Sequence, residues 1–133
     1  MSTEANAELA RRWIAVWEEG DEAKLDDLYA PEFEYHMRFP GQKAGLAGEK
    51  QVVRMLHGAF PDLRIVVDDL IVDEHNAVIR WTMPGTHRGP FRGIPPNGRP
   101  IRFTGIDILR IERGKVVARW DEVNNRAAPP YVD

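Results

Sequence analysis

The sequence predicts an α+β domain in which three N-terminal helices pack on one face of a curved antiparallel sheet and enclose a cone-shaped internal cavity. Three observations support this fold class. Apolar residues recur at helical spacing in the first 60 residues, four later segments have strand character, and turn residues separate those segments as in a meander. A chain of 133 residues is long enough for one core, so we predict a single domain over 1–133.

The three helices are predicted from amphipathic spacing and from their end signals. The first covers 4–19, where the apolar residues share one face and the charged residues share the other. A short second helix begins at Asp21, runs through Tyr29 and ends before Pro31. The third covers 52–60 and is closed by proline.

Five strands are predicted from alternation and from β-branched content. Residues 32–39 alternate apolar with polar side chains, which indicates a strand between the second and third helices. The remaining strands follow one another without intervening helices, so they favour an antiparallel meander. These four segments are 63–72, which Asp68 and Asp69 interrupt as in a bulge or an edge strand, and then 77–83, 99–111 and 115–123.

The turn between the last two strands decides which side chains share a face. Residues 112–114 fit a three-residue hairpin loop with the glycine in the left-handed region. That register places Asp121 opposite Gly105 and Asp107 opposite Arg119, with both acids on one face. A two-residue turn would place the two acids on opposite faces.

The opposite face of this strand pair is also apolar. It would carry Ile106, Ile108, Val116, Ala118 and Trp120. A sheet with apolar residues on both faces often packs against a partner, so we expect a homodimer.

The segment from Pro84 to Pro100 is dense in glycine and proline. Loops longer than about 12 to 15 residues are usually functional or disordered, and the His87, Phe91 and Ile94 side chains are not typical of disorder. We therefore favour an ordered loop near a pocket mouth or a subunit contact. An extended surface hairpin without a role in chemistry is the alternative.

Asp121 is the leading candidate for chemistry because aspartate is disfavoured in the middle of a strand. In an apolar cavity, desolvation would raise its pKa toward the range useful for a general acid or base. The alternative is a structural ion pair with Arg119, Arg80 or Arg102. His36 could reach the same cavity, although an isolated histidine is more often structural.

Composition excludes several function classes. The net charge of −3 with scattered cations disfavours a nucleic-acid partner, and no apolar run approaches the roughly 18 residues of a membrane span. The acidic N-terminal segment and the absence of cysteine favour the cytoplasm. No metal-ligand spacing, nucleophile elbow or glycine-rich phosphate loop occurs, so we expect neither a metal nor a cofactor.

Motifs across most of the chain resemble the SnoaL-like polyketide cyclase, or ester cyclase, family. The resemblance lies in 28–36, 59–65 and 77–124, where GTH, GIPP, FTGID and WD occur in the family's order. The wider superfamily is similar to nuclear transport factor 2, a cone of curved sheet and three helices. This resemblance agrees with the fold class derived above.

The resemblance implies a cofactor-independent enzyme that acts on a small hydrophobic carbonyl compound. Its reaction would be an intramolecular aldol-type cyclisation or an isomerisation, with Asp121 as general acid or base and with His36 and Asp107 assisting. Asp107 stands where the founding cyclases carry a histidine, which is a departure from the family pattern. We expect the pocket to be lined by Trp13, Trp17, Phe33, Phe60, Gly105, Arg119 and Val123.

Two other functions remain open. One is a non-catalytic domain that binds a small molecule, since a fold can be reused without chemistry. The other is a cofactor-free hydroxylase or epoxide hydrolase of the same fold. Epoxide hydrolysis in relatives would require an Arg-x-Asp on one strand and a second aspartate across from it, and the strand Arg80-Trp81-Thr82 lacks that pattern.

Overall fold

The computed structural model describes residues 2–133 and confirms the α+β class. Five strands form one curved sheet in the order β1-β5-β4-β3-β2, with the helices on one face. The elements are α1 (Thr3–Glu19), a 3-10 helix (Glu22–Asp27), β1 (Tyr29–Tyr35), α2 (Gly45–Ala59), β2 (Val66–Val72), β3 (Asn76–Thr86), β4 (Pro100–Glu112) and β5 (Lys115–Val123).

The sheet is mixed, which corrects the expectation of a fully antiparallel one. The meander from β2 to β5 is antiparallel as predicted, but β1 pairs in parallel with β5. β1 begins at Tyr29, where a helix was expected, and includes Pro31. Because β1 is an edge strand, the missing N–H of proline is tolerated there.

The helices differ from the prediction in type and in length. The second is a 3-10 helix that ends at Asp27, and α2 begins at Gly45, seven residues before the predicted start at Val52. The early glycines hide this start in the sequence. At Gly48, a Cβ atom would lie only 1.8 Å from the carbonyl oxygen of Lys43, so the helix can pack against the preceding loop only with glycine there.

The β4–β5 turn has two residues, not the predicted three. Arg113 and Gly114 both have positive φ angles, 52° and 74°, as in the tight turns that suit a hairpin. A β-bulge at Val117 then inserts one extra residue into β5 and restores the face that the shorter turn would have changed. Asp107 therefore lies directly opposite Asp121 on β5.

The same bulge turns Val116 into the core, where it is completely buried, instead of onto the outer face as predicted. Ile106 and Ile108 do lie on the outer face and are 44% and 37% exposed. The core itself consists of two adjoining apolar clusters, one under α1 and α2 and one around Phe60. None of the helices described is long and apolar enough to cross a membrane.

Candidate active site

A cavity of about 100 Å³ lies between the helices and the sheet. Most of its wall is aromatic or aliphatic, with side chains from α1, α2, β3, β4 and the loop after β3. Polar groups gather on the β1, β4 and β5 side of the cavity. These polar residues are Tyr35, Asp107, Arg119, Asp121 and Arg126.

Arg119 is the centre of the polar cluster. Its guanidinium is buried and binds Glu49 through two hydrogen bonds, Nε to Oε1 at 2.7 Å and Nη2 to Oε2 at 2.6 Å. Its Nη1 donates to Asp107 Oδ1 at 2.8 Å and to Asp121 Oδ2 at 3.2 Å. Burial works against the charge, but Glu49 and Asp107 outweigh it and hold the pKa of Arg119 well above its usual value.

Asp107 is held by one charged and one neutral donor. Its Oδ1 accepts from Arg119, and its Oδ2 accepts from the indole Nε1 of Trp81 at 2.6 Å. Burial raises the pKa of Asp107 to about 6 and Asp121 adds to the rise, while the charge of Arg119 opposes it. Asp107 is therefore a carboxyl group that can take up a proton close to neutral pH.

Gly105 makes the Trp81 contact sterically possible. The two residues are cross-strand partners, and a Cβ atom at Gly105 would lie 2.5 Å from Cζ2 of Trp81. The indole occupies the space that a side chain at 105 would fill. Gly105 thus contributes to the site by leaving room for the donor that holds Asp107, although it does not line the cavity.

Asp121 lies across from Asp107, shares the Arg119 donor with it, and is held in addition by two groups that do not contact Asp107. Its Oδ1 accepts from the Tyr35 hydroxyl at 2.6 Å and lies 3.7 Å from Nη1 of Arg126. Burial raises the pKa of Tyr35 above its usual value, so this hydroxyl remains a donor. Arg126 also donates to the Tyr35 oxygen at 3.1 Å, which links Asp121 to the C-terminal segment.

The acids of this cluster outnumber its cations. Glu49, Asp107 and Asp121 carry three negative charges when ionised, whereas Arg119 and Arg126 carry two positive charges. Uptake of one proton by Asp107, whose pKa is raised, balances the cluster.

We expect the raised pKa of Asp107 to make the wild-type protein less stable as the pH rises from about 4 to about 6. The folded state binds the Asp107 proton more tightly than the unfolded chain, so this stabilisation is complete below the unfolded pKa and is lost through the folded pKa. The difference between the folded and unfolded pKa values of Asp107 corresponds to roughly 3 kcal/mol in the free energy of unfolding. Urea unfolding from pH 4 to 7 measures it.

Asp107→Asn is the comparison for this measurement, because it removes the titrating group and preserves the shape of the side chain. The wild type should lose stability relative to this variant across the interval. Parallel stability curves for the two proteins would contradict the assignment. Carboxyl groups remote from residue 107 titrate in both proteins and cancel in the difference.

Most of the residues predicted for the site are brought together by the fold. Asp107 and Asp121 lie on the cavity wall, as do four predicted pocket residues. Phe60 and Phe33 are buried but do not line the cavity, since Phe60 packs in the second core cluster and Phe33 packs against Tyr29. The four that line it are Trp13, Trp17, Arg119 and Val123.

His36 is not brought to the cavity. It stacks on Trp120 of β5, with ring centroids 4.6 Å apart and planes 6° from parallel. Side chains alternate along an extended chain, so Tyr35 points inward and His36 points to the outer face. Tyr35, one residue before His36, is the side chain of this strand that reaches the cavity and donates to Asp121.

Sequence reasoning missed four residues of the cluster. Glu49 precedes Val52 and Val53 by three and four residues, so it lies on the buried face of a helix, and this spacing was a usable signal. Trp81 lies opposite Gly105, and this aromatic–glycine pairing could have indicated Trp81 if the β3–β4 register had been known. The other two are Tyr35 and Arg126, and Arg126 has no sequence signal because it follows the last strand.

The family model for SnoaL-like polyketide cyclases matches residues 7–128. The chain belongs to this family. The match covers both helices and all five strands almost completely, so the SnoaL-like fold includes the cavity and the whole polar cluster. No protein among those of curated function matches the chain significantly.

Solved structures of similar proteins agree with this membership. TsrD from Streptomyces laurentii is 32% identical, with a TM-score of 0.83 over 93% of this chain and 91% of that one. AclR from Streptomyces galilaeus, a candidate hydroxylase, is 27% identical, with a TM-score of 0.80 over 95% and 92%. IdmH from Streptomyces antibioticus, a candidate polyketide cyclase, is 25% identical, with a TM-score of 0.76 over 89% and 91%.

Proposed function

We propose that this SnoaL-like protein is a cofactor-independent acid/base enzyme for a small hydrophobic molecule with an activated carbonyl group. The reaction is an intramolecular aldol-type cyclisation or an isomerisation. One observation carries the proposal: Asp107 and Asp121 face each other on neighbouring strands of an apolar cavity and share Nη1 of Arg119. Carboxyl pairs in different environments are suited to divide acid and base roles.

In the cyclisation, the Asp121 carboxylate takes a proton from the carbon beside the carbonyl, and the bonding electrons form an enolate. The enolate carbon then attacks a second carbonyl carbon of the same molecule, which forms the new C–C bond and an alkoxide. A protonated Asp107, favoured by its raised pKa, returns a proton to that alkoxide. Tyr35 and Arg126, which contact Asp121, are the nearest donors for the enolate oxygen.

The first test is solvent deuterium incorporation at the activated methylene of a panel of aromatic β-keto esters. Proton abstraction does not require the correct ring-closing substrate, so this assay tests the chemistry before the substrate is known. We expect exchange faster than in buffer or with urea-unfolded protein. Exchange at the buffer rate across the panel would favour the non-catalytic binding domain.

A second candidate function is epoxide hydrolysis, because β5 carries Arg119-Trp120-Asp121 with Asp107 across from it. This is the Arg-x-Asp pattern with an opposing aspartate that was sought on β3 and not found there. In this reaction Asp121 takes a proton from water, the hydroxide attacks an epoxide carbon, and the C–O bond breaks. Asp107 donates its proton to the departing oxygen, so that water and epoxide give a diol.

The two candidates are separated by their products. Incubation with aryl and alicyclic epoxides in ¹⁸O-labelled water should give a diol with one labelled oxygen if the protein is an epoxide hydrolase. Diol formation without carbon-bound deuterium exchange would replace the first candidate. Exchange without diol formation would reject epoxide hydrolysis and support the cyclase or isomerase proposal.

We also propose that the protein is a homodimer formed through the outer face of the sheet. A stripe of apolar side chains crosses four strands at consecutive register positions, and its end residue Ile71 is 65% exposed. Charged residues flank the stripe, as they do at the rim of a protein interface. The stripe consists of Ile71, Val78, Ile108 and Trp120, and His36 stacks on its last member.

Ile108→Glu should convert this dimer to a monomer, since it places a charge at the centre of the stripe. Analytical ultracentrifugation measures the change in mass. Ala47→Glu is the matched control, because Ala47 is exposed on α2 at the helical side of the molecule. A monomeric wild type, or a dimer that persists in Ile108→Glu, would contradict this interface.

A further inference from the structure

A second, open groove of about 440 Å³ lies beside the cavity. It is formed by the segment between β1 and α2, by α2 and by Arg92 of the loop after β3. The groove and the cavity share Phe39, Val52 and Met55 in their walls. The two spaces are therefore neighbours, and Phe39 is part of the partition between them.

The inner cavity is too small for the proposed substrate. A cavity of roughly 150 Å³ holds one benzene molecule, and this one measures about 100 Å³. An aromatic ring with an activated carbonyl chain must therefore extend beyond the present cavity wall. The adjoining groove offers the additional volume.

The Phe39 partition is held by two cation–π contacts and by packing against the main apolar core. The guanidinium carbons of Arg92 and Arg126 lie 4.3 Å and 4.2 Å from the centroid of its ring. Rotation of this ring would break these two contacts and part of its packing against the core, and it would join the groove to the cavity.

The groove carries a cation without a carboxylate partner, Arg92, and a buried amide donor without an acceptor, Gln42. Arg92 forms no ion pair with a carboxylate in the part of the chain described, and its Nη1 donates to the carbonyl oxygen of Arg126 at 2.9 Å. Gln42 Oε1 accepts from the backbone N–H of Phe39 at 3.2 Å, which fixes the orientation of the amide. Gln42 Nε2 is then buried without a partner, and a buried donor of this kind destabilises the fold unless an acceptor reaches it.

Backbone geometry presents Arg92 at the tip of a tight turn. Phe91 and Ile94 pair with each other through two backbone hydrogen bonds, and the two residues between them both have positive φ, 48° at Arg92 and 83° at Gly93. The left-handed conformation is disfavoured for arginine because its Cβ atom crowds the backbone. Strained positions of this kind cluster at ligand-binding sites.

Three chain segments near the groove and the cavity carry cations but no acids. The segments 36–44, 87–99 and 124–132 contain no aspartate or glutamate, although the whole chain has a net charge of −3. Each segment contributes a residue to the cavity wall. Arg126 faces Asp121, so the positive charge available to attract an anion lies at Arg92 on the groove side. The cations of these segments are Arg38, Lys43, Arg88, Arg92, Arg99 and Arg126.

From these observations we infer that the groove is a subsite for an anionic oxygen group of the ligand, a carboxylate or a phosphate ester. Arg92 and Gln42 hold that group, and Phe39 moves aside so that the rest of the molecule enters the cavity beside Asp121. The inference rests on the proposed function for the identity of the part that enters the cavity. The anion selectivity is a property of the groove itself.

Calorimetric titration with 4-(2-naphthyl)-4-oxobutanoate and with its methyl ester tests the subsite. The wild type should bind the acid at least tenfold more tightly than the ester. Arg92→Gln should reduce that preference to within twofold, whereas Arg92→Lys should keep part of it. Arg88→Gln is the matched control, because Arg88 is an exposed cation of the same loop that does not line the groove.

Phosphopantetheine as a competitor identifies the source of the anion. Displacement of the acid by phosphopantetheine, lost in Arg92→Gln, assigns the groove to a phosphate ester, and the absence of displacement assigns it to a carboxylate. Equal binding of acid and ester to the wild type, or no binding of either, overturns the subsite. An equal loss in Arg88→Gln also overturns it.

The failure of this subsite can be distinguished from failure of the proposed function. Exchange on the neutral β-keto esters with no preference for the acid would leave the function standing and reject the subsite. An Arg92-dependent preference for the acid without any exchange would leave the subsite standing and reject the function.

Discussion

Asp121→Asn should lower the rate of deuterium exchange by about 10² to 10⁴, the usual contribution of a general acid or base. An amide cannot take a proton from carbon, although its oxygen can still accept from Tyr35. The fold should remain as stable as the wild type or become more stable. Arg119 remains paired with Glu49 and Asp107 in the variant, and one charge of an over-negative cluster is removed.

The measurement combines exchange rates with melting temperatures for the same preparations. Glu122→Gln is the matched control, since it makes the same carboxylate-to-amide change at the next residue, which is exposed. Wild-type exchange in Asp121→Asn would remove Asp121 from the mechanism. A loss of stability near the 3–5 kcal/mol expected for breaking a buried ion pair would identify Asp121 as mainly structural.

Arg119→Met should have the largest effect on stability, a loss of about 3–5 kcal/mol at neutral pH. The change preserves much of the side-chain volume but leaves Glu49, Asp107 and Asp121 without their shared cation. Unpaired buried carboxylates have raised pKa values, so their contribution to stability is complete below the unfolded pKa and is lost as the pH rises. The deficit relative to the wild type should therefore shrink as the pH falls from 7 to 5.

Urea unfolding at these two pH values tests the charge argument separately from packing. Arg110→Met is the control, because Arg110 is exposed on the outer face of β4. Adding Glu49→Gln to Arg119→Met should recover part of the loss at pH 7. A deficit that is the same at both pH values, and is not recovered by Glu49→Gln, would mean that Arg119 acts through packing alone.

The sequence by itself determined the α+β class, the four-stranded meander and the family. Those features depend on local periodicity and on short motifs, which tertiary contacts strengthen without changing. It also singled out Asp121, because an acid in the middle of a strand is conspicuous wherever the strand lies, and it pointed to Asp107 through the predicted register and the family resemblance. The prediction failed mainly in register and orientation.

Tertiary structure decided which side chains meet. A two-residue turn and a bulge at Val117 together place Asp107 opposite Asp121. Each has little sequence signal, yet each shifts the register by one residue and so changes the face of every later side chain in the strand. Because side chains alternate along an extended strand, Tyr35 points into the cavity and His36 points to the outer face of the sheet. Arg119 joins Glu49, 70 residues away, and this pairing arises only when α2 docks on the sheet and both charges lose their water.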